Sequence, residues 1–256
     1  MAYSRGPIGG MMRGMHVAPP TRPATAMVLW PLPLVAGLLP AVATLAAWAL
    51  SMHLGLVPAC NPFIDGCISI SRAARHDLPN HVFRTLVLPA ALLQALTWWL
   101  AARWLRDLPG AAAMRGLAAL PLLGATAGLA LVLYGSFLGT DGPIYRALRQ
   151  YGTVVYFGFT CLCLLIAGGA VQRAVAAGAL ALAPALRHAM VALSVGLVML
   201  GLGNALVGAA ADGELKYRVE NLTEWWGALI FVLGFVALAA MWRRCRLQLT
   251  LHDGGP

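Results

Sequence analysis

Six long apolar stretches, separated by shorter polar segments, set the pattern of the chain. They run from about Trp30 to Met52, Val82 to Trp104, Leu117 to Leu138, Thr153 to Val171, His188 to Ala210 and Trp225 to Trp242. A helix rises about 1.5 Å per residue, so roughly 20 apolar residues cross a hydrocarbon layer about 30 Å thick. The pattern therefore predicts an all-α, polytopic integral membrane protein, a bundle of six transmembrane helices. The Ala174–Ala185 stretch is also apolar, but it is Ala-rich and contains Pro184, so it reads as a short loop or interfacial helix. Residues 27–246 form a single transmembrane domain in this reading. Residues 1–26, rich in Gly, Pro, Met and Arg without periodicity, read as a disordered cytosolic tail, and residues 247–256 as a short cytosolic one. The first apolar run exceeds the roughly 7–15 residues of a signal-peptide core, so it reads as a retained anchor.

Composition sharpens this picture. Hydrophobic residues make up 60% of the chain and charged residues 11%, with a mean hydropathy of +0.77. Soluble domains are about 25% charged. A soluble globular enzyme, a disordered chain and a disulfide-dense secreted scaffold are all excluded. The net charge of +9 would suggest nucleic acid in a soluble protein, but topology accounts for it. The N-terminal tail, second and fourth loops and C-terminal tail carry eleven arginines against Asp107 and Asp253. The first, third and fifth loops carry seven basic and seven acidic residues. Arg and Lys hold loops in the cytosol, so both termini are expected there, and no nucleic-acid partner is implied. Only Lys216 is a lysine. That bias, beside so much Ala, Leu and Gly, suits a GC-rich bacterial genome and hence a bacterial inner (plasma) membrane.

Within the spans only Gln94, Thr97, Asn204 and scattered Ser or Thr are polar at depth. An ion or proton path usually leaves ionisable groups near the midplane, so a proton-coupled transporter is disfavoured. Gly124/Gly128 and Gly135/Gly139 have GxxxG spacing and read as close helix packing. Trp98, Trp99, Trp104 and Trp242 read as one interfacial belt, and Trp225 and Trp226 as the other.

Candidate chemistry lies on the outer side. The loop from His53 to His81 is long for a connector and holds Cys60 and Cys67, a candidate disulfide with two free thiols as the alternative. No metal site or cofactor is read from it. Cys161, Cys163 and Cys245 fall in a span or on the cytosolic side and are expected reduced. Asp77 or Asn80 can cap the second span, while His81 and Arg84, three apart, share a helix face that suits a lipid phosphate. Asp141-Gly-Pro143 reads as a turn and helix start, followed by a short interfacial helix presenting Arg146 and Arg149 to headgroups. Asn221-Leu-Thr-Glu224 fits a capping box before the last span, and Glu224 is the acid nearest the membrane. Asn204 lies about 24 Å along its helix from His188, toward the outer leaflet, so His188 cannot join His81 in one site. The candidate catalytic residues are therefore His81, Asp141 and Glu224. The candidate headgroup contacts are Arg84, Arg146, Arg218 and Asn204.

Six spans, a long first outer loop with Cys60-Asn61-Pro62 and Ile68-Ser69-Ile70-Ser71, Phe83 opening the second helix and Glu224-Trp225 opening the last form a familiar layout. From about Trp30 to Trp242 the chain resembles the FRAG/DRAM-type family, also described as the Cwh-like N-terminal domain. That family includes the DNA-damage-regulated autophagy modulators and the lipid-remodelling factor acting on glycosylphosphatidylinositol anchors. Members often carry a His near the start of the fourth span; here the region reads Arg149-Gln-Tyr151-Gly-Thr-Val. The resemblance thus implies a lipid-associated membrane protein rather than a reaction. The expected function is binding or organising membrane lipid through the outer polar face without catalysis. A lipid-modifying enzyme at the outer leaflet is the alternative, and an accessory role beside a membrane-protein partner stays open.

Overall fold

The computed structural model describes residues 25–251. A strand β1 (Thr25–Val28) leads into helix α1 (Pro31–His53). The first long loop carries a one-turn helix α2 (Ile70–Ala73) and is followed by α3 (Asp77–Arg106). Then come α4 (Leu120–Phe137), α5 (Pro143–Ala176), α6 (Pro184–Ala210), α7 (Glu214–Arg244) and β2 (Gln248–Leu251). Six helices, all but α2, are long and apolar enough to cross a membrane. They form a closed ring in which α3 packs on α1, α1 on α7, α7 on α6, α6 on α5, α5 on α4 and α4 on α3. Six crossings bring both ends of the described chain to one face, here the terminal face. The loops after α1, α4 and α6 lie on the opposite face.

Several boundaries differ from the sequence reading, each for a physical reason. Residues 25 and 26 belong to β1 and residues 248–251 to β2, which pair antiparallel, Thr25 facing Leu251 and Val28 facing Gln248. The tails can pair because α7 ends in a tight turn. Leu247 N–H bonds Trp242 O, Arg246 N–H bonds Arg243 O, and Arg246 takes a positive φ of 50°. The expectation of disorder over residues 1–24 lies outside the described residues. Pro143 does not start a separate interfacial helix; α5 runs unbroken from it to Ala176, since proline suits a first helical turn. The end of α5 is set by Gly178 at φ +73°, a left-handed conformation that closes the helix by Ala179 N–H to Ala174 O.

The indoles correct the belt reading. Trp98, Trp225 and Trp242 are at most 1% exposed, and Trp104 is buried as well, whereas Trp99 and Trp226 are 44% exposed. The buried rings fill the bundle where small residues leave room. Trp98 lies against Gly124 of α4 and Phe235 of α7. Gly128 brings α4 onto the α3 backbone, where an added Cβ would sit 2.9 Å from Ala91 O. The Gly135/Gly139 pair is different: α4 stops at Phe137, and Gly139 lies in the loop at φ +84° against Arg75 O.

Candidate functional site

A cavity of about 140 Å³ lies inside the ring. Its walls come from α1, α3, α4, α5 and α7, and α6 lends no residue to it. Most of the lining is apolar, including Leu45, Phe83, Val87, Leu131, Phe157, Phe231 and Phe235. Leu45 is 44% exposed, and Pro40, Ala41, Ala228, Leu229 and Val232 are half-buried, so the cavity reaches the outside of the bundle between α1 and α7.

Its floor follows from a proline. Pro40 sits inside α1 and has no N–H, so the carbonyl four residues earlier, Ala36, loses its helix partner. Gln94 of α3 replaces that donor, its Nε2 reaching Ala36 O at 3.0 Å, while its Oε1 accepts from Tyr156 Oη at 3.1 Å. The polar residue read at depth thus repairs a helix and positions a tyrosine. Gln94→Leu is expected to cost about 1–3 kcal/mol, because it strands both groups away from water. Restoring the N–H with Pro40→Ala should recover part of that loss. Equal losses in the single and double variants, in detergent-denaturant titration, would disprove the pairing.

The roof is the long loop, strapped to one face of α7. Asn221 Nδ2 donates to Gly66 O (2.8 Å), Trp225 Nε1 to Ile68 O (2.8 Å) and Trp226 Nε1 to Phe63 O (3.1 Å). Glu224 Oε2 accepts from Ile70 N–H at 2.9 Å. Asn221 and Glu224 therefore do not cap α7, which has already begun at Glu214. Their capping chemistry serves the loop instead. Gly66 is required where the strap crosses α7: its φ is +61°, and an added Cβ would sit 2.5 Å from Arg218 O. Cys60 and Cys67 are joined, closing the strap into a ring, inside which Asp65 Oδ2 accepts from Asn61 N–H. Cys161, Cys163 and Cys245 are free thiols. Burial pushes the Cys245 thiol above its usual range.

At the roof, Phe63, Ile70, Trp225, Tyr134 and Glu224 line the cavity. Arg75, at the end of the strap, is half-buried. Arg149 points to the end of α4, donating to Phe137 O at 2.9 Å and to Thr140 O. Asn80 likewise ties the helices: it does not cap α3 but is buried, donating to Ala74 O and Leu138 O.

The residues singled out from sequence do not gather in one place. Glu224 is at the cavity, and it alone among the three catalytic candidates lines it. His81 and Asp141 are exposed on the loop face. Among the headgroup candidates, Arg146 is exposed and Arg84 half-buried. Arg218 is exposed and reaches the strap at Ile64 O (3.5 Å). Asn204, on α6, has a buried Oδ1 without a partner among the described residues. Sequence reading passed over Arg75, Tyr134 and Tyr156. The one signal for the tyrosines was an amphipathic ring set inside an apolar span.

No protein-family model, curated protein or solved structure matches this chain.

Proposed function

We propose that this is a lipid-binding membrane protein that takes an apolar chain into the cavity between α1 and α7, without catalysis. The supporting observation is the cavity itself, apolar in its walls, reaching the bundle surface between two helices and bearing one carboxylate at its roof. Left empty, about 140 Å³ of apolar space would cost on the order of 3 kcal/mol. A lipid chain offsets that cost and is the most abundant apolar solute around the bundle. The terminal face, where the arginine excess lies, is assigned to the cytosol by the positive-inside rule, and the strap to the outer leaflet. A bacterial plasma membrane suits this arrangement, as does the FRAG/DRAM-type resemblance with its lipid association.

The test is mass spectrometry of protein purified in mild detergent. About one lipid per chain should stay bound after detergent exchange. Complete delipidation under conditions that keep the fold would remove the proposal. Release of a chemically altered lipid by the purified protein would replace it with catalysis.

A further inference from the structure

A second cavity, of about 220 Å³, lies on the loop face beneath the disulfide-closed strap. It is separate from the apolar one and shares no lining residue with it. Its walls include Pro58 and Cys67 from the strap, then Arg72, Arg75 and His76 where α2 hands over to α3. No carboxylate lines it. The Nε of Arg75 is buried and has no partner among the described residues. That Nε does not itself open onto the cavity, so an anionic oxygen held there would meet other donors of the guanidinium forks. No side chain among the described residues caps the N-terminus of α3, which starts directly after His76 with Asp77 in its first turn, so the basic side chains and not the helix end carry the anion affinity.

We propose that Arg72, Arg75 and His76 form a phosphate-binding site. Two guanidinium forks and an imidazole can share the oxygens of one phosphate group, and the strap holds the pocket shape. The phosphate is either the headgroup of the lipid whose chain enters the cavity, a source that rests on the reading above, or a free phosphate ion.

The experiment uses the full chain in detergent with three probes: a short-chain phosphatidic acid, the diacylglycerol of the same chains, and inorganic phosphate. Phosphatidic acid should bind at least about tenfold more tightly than the diacylglycerol. That ratio should fall toward one in Arg75→Gln. It should fall likewise in Arg72→Gln, whose exposed side chain makes it the safer variant for folding. Inorganic phosphate bound by the wild type and lost in both variants, with no preference between the lipids, assigns the free ion as the source. Phosphate-dependent binding without any diacylglycerol binding upholds this site and overturns the cavity reading. A ratio near one with no phosphate binding overturns the site, as does a preference that survives both substitutions.

Discussion

Ala41→Trp should abolish retention of the lipid proposed to occupy the cavity. Ala41 lines the cavity on α1, is half-buried, and stands one turn before the exposed Leu45 at the opening toward α7. An indole there projects into the space a lipid chain would use, and aromatic rings fill such space without needing a polar partner for most of their surface. The lipid bound per chain is expected to fall at least about tenfold, which from near-saturation takes a loss of more than about 1.4 kcal/mol in binding. The reference is Leu122→Trp on α4, whose parent side chain is 71% exposed and absent from the cavity. It adds the same ring to the lipid-facing surface and should keep the lipid. Stability separates blocking from unfolding: a ring seated in an otherwise empty cavity should hold or raise the unfolding midpoint. Equal lipid retention in the two variants would place bound lipid on the outside of the bundle and sink the cavity reading.

The six helices were legible because span length is fixed by the membrane, and apolar runs record it directly. Helix ends were less legible. α7 begins at Glu214 rather than near Trp225, because its first turns are polar yet carry the strap. Glu224 illustrates the limit well. Its capacity to accept an N–H was readable. The N–H it accepts belongs to Ile70, 154 residues away, which local spacing cannot reveal. Pro40 and Gln94 are intermediate. The rule for proline says that Ala36 O must find another donor, and a glutamine at depth is a ready one. Only the packing of α3 on α1 shows that the two needs meet. The belt reading failed for the buried tryptophans because the belt is a statistical tendency, whereas Trp98 answers to a glycine on the facing helix. Arg75 has no local signal: its meaning comes from lining the cavity on the loop face beside Arg72 and His76.

Gly124→Leu should be the most damaging single substitution in the bundle. Any Cβ at this position would lie 2.4 Å from Trp98 Cβ and 2.8 Å from its Cγ. Trp98 cannot yield cheaply, being 1% exposed and held by the Phe235 ring at 5.3 Å from the far side. The α3–α4 contact must therefore open. The neighbouring Gly128 contact, where α4 meets the α3 backbone at Ala91 O, opens with it. Overpacking costs about 1–3 kcal/mol in a yielding core, and the rigid wall here puts the expected loss at about 3 kcal/mol or more. Gly201→Leu is the contrast: it lies on exposed α6 with nothing near its Cβ position, and leucine is the better helix former. It should be neutral or gain up to about 1 kcal/mol. Titrating both variants with denaturing detergent and following helical signal gives the comparison. Removing the obstacle with Trp98→Ala should make Gly124→Leu less costly than it is alone, a coupling that reports the contact directly. Variants at 124 and 201 that agree within 0.5 kcal/mol would mean that glycine does not set the distance between α3 and α4.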